Sequence, residues 1–137
     1  MVRALVAACL MLIASNVLAA PSRPRLSPTR AAIVRGEDNA EECIEYNDNA
    51  RDAMDCAEGT REGGKISAAF DAGLWQTIAD HTAEMLKTHH TPSVRAVLAS
   101  STAKALKARN ALGLSEAALR KAMRRNAETD KLEDHAD

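Results

Sequence analysis

Residues 67–113 read SAAFDAGLWQTIADHTAEMLKTHHTPSVRAVLASSTAKALKARNALG, and the spacing within this stretch decides the fold. Ser67 offers a side-chain acceptor to the first turn of a helix, and Phe70, Leu74, Ile78, Met85 and Leu86 then recur on one helical face. The pattern predicts a helix over 68–88, in which Gly73 costs about 1 kcal/mol relative to alanine. Thr91-Pro92 restarts the chain with a capping hydroxyl followed by proline at the first helical position. Val94, Val97, Leu98, Ala105 and Leu112 mark the inward face of the next helix, and Gly113 is a natural stop for it.

On the C-terminal side, Ser115 caps a helix expected over 116–128. Leu114 before that cap and Leu119 within the helix are placed to form a hydrophobic staple, with Ala122 and Met123 continuing the apolar stripe. Residues 130–137 are charged and expected to be disordered. On the N-terminal side, Asn39 caps a helix expected over 40–58, with Glu42 as in a capping box and Gly59 as its stop. Ala40, Cys43, Ile44, Asn47, Ala50, Met54 and Ala57 form its stripe. Gly63-Gly64 falls in the loop that follows. No strand pattern and no repeat appears. The expected fold class is all-α, a small bundle of about four helices spanning 39–129.

The first 19 residues have the form of a cleaved signal peptide. Arg3 precedes an apolar core containing Leu5, Val6, Leu10, Met11, Leu12 and Ile13, and Val17-Leu18-Ala19 supplies the small-residue cleavage pattern. The uncharged run is short for a membrane span and holds Ser15 and Asn16, so no stable span is expected after cleavage. Residues 20–38 carry Pro21, Pro24 and Pro28 among Arg23, Arg25, Arg30 and Arg35, which predicts an extended, disordered basic leader. What remains is enough for one domain. The formal net charge of the chain is −1, which supplies no global attraction for nucleic acid or anionic membrane. Tyr46, Phe70 and Trp75 are the only aromatic residues, and alanine supplies much of the apolar surface. Such a core is thin, and small domains of this kind lean on a disulfide or on association.

Cys43 and Cys56 remain after cleavage, and an exported protein meets an oxidising compartment. A continuous helix would hold the two about 20 Å apart, whereas a disulfide needs α-carbons within about 7 Å. Either the helix breaks near Asn47-Asp48-Asn49 and a stapled hairpin results, which the turn-forming residues favour, or the cysteines join two chains. Redox-active pairs lie two residues apart, a spacing this chain lacks.

Four histidines are present, and Asp80, His81 and Glu84 share one turn with His89-His90 shortly after. His81, Glu84, His89 and His90 are the candidate ligands for a metal or small molecule, without an established zinc spacing among them. Neither a nucleophile elbow around Ser100-Ser101 nor a phosphate-binding loop at Gly63-Gly64 is present, so the expectation is a protein that is not an enzyme and needs no cofactor.

The segment Ala108 to Arg125, with Leu112-Gly113-Leu114-Ser115 at its turn and Leu119 inward, resembles the second half of a helix-turn-helix DNA-binding motif. The resemblance implies that Arg120, Lys121, Arg124 and Arg125 form an interaction surface facing DNA. Arg109 stands where that motif keeps a small residue, and a glycine-terminated helix followed by a serine-capped one gives the same string without DNA. Behind an export leader no nucleic acid is expected. The charge map offers another use for these cations. Nine carboxylates lie between Glu37 and Glu58 with Arg51 the one cation among them, while Lys104, Lys107, Arg109, Arg120, Lys121, Arg124 and Arg125 are opposed locally by Glu116. These faces are expected to complement each other within one bundle or across a homodimer. The functional expectation is a secreted or periplasmic interaction protein whose partner is a protein or an envelope component.

Overall fold

In the computed structural model, which describes residues 27–61 and 67–124, α1 (Pro28–Glu45) begins inside the stretch expected to be a leader. The Ser27 hydroxyl accepts the Arg30 N–H at 3.2 Å and Pro28 occupies the first helical position. Proline has no N–H to lose there. Ala32, Ile33, Val34, Gly36 and Glu37 of this helix are buried, so residues 28–38 belong to the folded body. Asn39 is therefore no cap; it lies inside α1 and donates to the Arg35 carbonyl at 3.0 Å. The expected signal peptide and its cleavage site, residues 20–26 of the leader, the Gly63-Gly64 turn and residues 125–137, Arg125 among them, lie outside the described residues.

The helix expected over 40–58 is two. α1 closes at Glu45, where the Asn47 side chain donates to the Cys43 carbonyl at 2.7 Å, and α2 (Ala50–Arg61) opens on Asn49, whose Oδ1 accepts the Asp52 N–H at 2.8 Å. Asparagine at both ends of the break supplies what the interrupted backbone lacks. Gly59 does not stop α2, which continues to Arg61.

α3 (Ala68–Leu86) starts on the Ser67 cap as expected, and ends two residues before the expected limit. α4 (Pro92–Leu112) runs from the Thr91 cap to Gly113, whose φ of 68° is the left-handed conformation that suits glycine. α5 (Glu116–Ala122) starts on Ser115 but stops well short of residue 128. Met123 turns to extended backbone with ψ 146°, is buried, and sends the Arg124 N–H to the Glu37 carboxylate at 2.9 Å instead of a helical carbonyl. Among the described residues the fold is five helices without a strand.

α3 is the central helix and packs most extensively against α1 and α4. Its residues from Leu74 to Ala79 are buried without interruption. Three buried hydroxyls, on Thr77, Thr82 and Ser101, each donate to a carbonyl one turn back in their own helix, so they cost little inside. Where α1 crosses α3, backbone meets backbone. A Cβ on Gly36 would overlap the Phe70 carbonyl oxygen and lie 2.9 Å from the Leu74 nitrogen; one on Gly73 would overlap the Ile33 carbonyl oxygen and lie 3.1 Å from the Glu37 nitrogen. Gly73 reads in the sequence as a weak point of a helix; here it is the place that lets two helices touch.

The core has two parts. The larger gathers α1, α2, α3 and α4 around Trp75, Leu74, Ile78, Val97 and the cysteines. The smaller gathers Ala32, Ile33, Ala69, Ala72 and Ala108 around Leu119 and Met123.

Candidate functional site

The cysteine corner is built by the Asn47–Asn49 break. Folding α2 back on α1 brings the Cys43 and Cys56 α-carbons to 5.6 Å, and the two are joined by a disulfide. Cys43 is buried in the larger core and Cys56 packs against it half-buried. Outside the corner, Tyr46 is 76 % exposed and is flanked by the exposed Glu41, Glu42, Glu45 and Asp48.

Two of the four basic side chains of the interaction surface expected from sequence, Arg120 and Arg124, are engaged within the molecule. Arg120 reaches α3, where its two terminal nitrogens donate to the two oxygens of Asp80 at 2.9 and 3.0 Å, and it also pairs with Glu116. The hydrogen bonds to Asp80 hold the guanidinium above its ordinary pKa; partial burial opposes them, and the charges of Asp80 and Glu116 add to the rise. Arg124 pairs with Asp38 at 3.3 Å, while its backbone N–H is bound by Glu37, a carboxylate with no exposed surface. Arg30 closes the set by donating to the Ala122 carbonyl at 3.2 Å. Lys121 is exposed.

Elsewhere, Lys104 pairs with Glu58 at 3.2 Å and lies 5.1 Å from the centroid of the Trp75 ring. Arg109 pairs with Glu116 at 3.9 Å. The acidic stretch of α1 and α2 meets these basic residues through Glu58–Lys104 and Asp38–Arg124, while Arg109 and Arg120 are taken by Glu116 and Asp80, and Glu41, Glu42, Glu45 and Asp48 stay exposed. A recognition helix must keep its cations free for phosphate and base edges. In α5, Arg120 is committed to Asp80 and Glu116, and beyond it Arg124 pairs with Asp38 while its side chain stays 55 % exposed.

The candidate ligands His81, Glu84, His89 and His90 are not gathered into a metal-binding cluster. Glu84 pairs with Lys87 at 3.0 Å, His89 and His90 sit exposed in the α3–α4 turn, and the His89 ring lies 2.9 Å from the Thr88 hydroxyl. His81 is half-buried on α3. Among the described residues, no three His, Cys, Asp or Glu side chains are arranged to hold a metal ion.

Two open clefts adjoin these features. One, of about 300 Å³, lies between the starts of α2 and α4 and is lined by Asp48, Asn49, Arg51, Met85, His89 and Ser93. The other, of about 240 Å³, is lined by Arg61, Asp71, Trp75, Lys104 and Lys107. Its charges are largely matched already, since Arg61 grips both oxygens of Asp71 at 3.0 Å and Lys104 holds Glu58. Sequence reasoning did not single out Glu37 or Asp80 as anchors, and the tertiary pairing that makes them so leaves no local signal. No protein-family profile matches the chain, and no characterised protein or solved structure shows significant similarity to it.

Proposed function

We propose that this chain is an exported, non-enzymatic helical protein, periplasmic or secreted, that acts by binding a protein or an envelope component. The Cys43–Cys56 disulfide carries the reading. Disulfides persist in oxidising compartments and are rare where thiols are kept reduced. This bond lies against the core, and it secures α2, whose alanine-rich inner face buries little area. The signal-like pattern of residues 1–19 points to the same destination. No helix among the described residues is long and apolar enough to cross a membrane.

Binding fits a surface with open clefts, many of whose basic side chains are already paired within the molecule. The exposed Tyr46 is the side chain best suited to a partner, since tyrosine is enriched at interaction sites, and the carboxylates around it fit a partner that brings positive charge. The test is the intact mass of the chain from fractionated cells, with and without reductant. The expected species begins at Ala20, is recovered from the periplasm or medium, and is two hydrogens light until reduced. A full-length mass in the membrane fraction, or a reduced one in the cytosol, contradicts the proposal.

A further inference from the structure

α5 follows α4 after Gly113-Leu114-Ser115; besides the nearby Arg109–Glu116 pair and packing at Ala108, Leu112 and Leu114, the groups that hold it lie far away in the chain. Leu119 and Met123, 0 % and 3 % exposed, fill a groove floored by Ile33 of α1 and Ala69 and Ala72 of α3. Polar anchors stand around that groove. Asp80 takes Arg120 through two hydrogen bonds across 40 residues, Glu37 takes the Arg124 N–H across 87, and the Ala122 carbonyl accepts from Arg30 across 92. A groove floored with alanine admits a helix closely, and its charged rim specifies which helix fits: one with Leu and Met four residues apart and arginine beside them.

None of these contacts depends on α5 belonging to the same chain. A second copy carries the same helix, and an exchange of α5 between two copies keeps every contact while altering only the conformation of the connecting residues. A seven-residue helix is unstable by itself, so an α5 that leaves its groove regains structure only by docking again. Gly113 sets the balance. Its left-handed backbone, φ 68°, turns α5 back onto its own body. We propose that α5 is an exchangeable latch, and that the groove between α1 and α3 is a homodimer site filled by the second copy's α5. This inference stands on the contacts of α5 alone and holds wherever the chain acts.

Charge swaps at the Asp80–Arg120 pair test it directly. Asp80→Arg and Arg120→Glu each place like charges where α5 docks on its own chain, but in an exchanged heterodimer each variant supplies the helix that the other's groove needs. Sedimentation and native mass spectrometry should find each variant monomeric alone and the mixture forming a one-to-one dimer. A mixture that stays monomeric overturns the proposal. A second variant covers the case in which the swapped chains do not fold. Gly113→Ala disfavours the left-handed turn by about tenfold per connection, so the dimer should form at correspondingly lower protein concentration. Gly113→Ala that is folded and monomeric at every concentration, or a dimer that survives the further change Leu119→Asp, also overturns it.

Discussion

At its C-terminal end α1 is tied to α2 by the Cys43–Cys56 bond, whereas between its first turn and its middle it is clasped by α5 and the residues just after it, through Arg30, Glu37 and Asp38. Both neighbours are short helices with little apolar surface, twelve residues in α2 and seven in α5, and neither would stay docked on burial alone. The covalent closure removes freedom from the unfolded chain and holds regardless of salt or pH. The polar closure is directional, reversible and open to exchange. The molecule thus has a fixed end and a releasable end, and the glycine crossing of α1 and α3 is common to both.

The largest effects should come from that crossing. Gly73→Val or Gly36→Val drives a side chain into a carbonyl of the opposite backbone, which has no rotamer with which to yield, and should cost about 3 kcal/mol or more in urea unfolding. Gly59→Ala is the control of opposite sign: nothing lies within 4 Å of its position in α2, and the change should stabilise by about 0.5–1 kcal/mol. Replacing both Cys43 and Cys56 by serine should cost about 3 kcal/mol, from the loop of chain the bond closes. Leu119→Ala empties a fully buried site, but α5 can undock by itself. The global cost should therefore stay near the low end for such a change, about 2 kcal/mol, with an early loss of helicity before the main transition. If Leu119→Ala instead costs as much as the glycine variants in a single transition, the releasable end is not separate from the rest.

Smaller effects sharpen the same contrast. Arg51→Ala breaks a pair whose side chains are both about two-thirds exposed, and the change should stay within about 0.5 kcal/mol. The Arg120 latch should hold from neutral to mildly alkaline pH. Asp80 raises its folded-state pKa, so its contribution is complete below the unfolded value and disappears only as pH climbs past it. Zn²⁺, Cu²⁺ and Ni²⁺ should leave the melting temperature unchanged; a rise that His89→Ala with His90→Ala abolishes would revive a metal site in the α3–α4 turn.

The sequence shows this architecture wherever the chemistry is local. Ser67, Thr91-Pro92, Gly113 and Ser115 were readable because a cap is made by residues three or four apart. The hairpin at Asn47–Asn49 was readable because a continuous helix and a bond between the cysteines exclude each other. Ser27-Pro28 has the same form as Thr91-Pro92, but the prolines and arginines before it made the region resemble a leader. The glycine crossing, the buried Glu37 and the Asp80–Arg120 pair depend on which helices meet, and no spacing within one helix reveals that.

Hydrogen exchange resolved by residue, on the oxidised protein and again after reduction, tests the contrast between the two ends most directly. With the disulfide intact, the α5 amides around Leu119 and Ala122 should exchange well before those of α2 around Met54 and Ala57; reduction should bring α2 down towards α5 and leave α5 where it was. Equal protection of α5 and α2 in the oxidised protein, or an α2 indifferent to reduction, would contradict it.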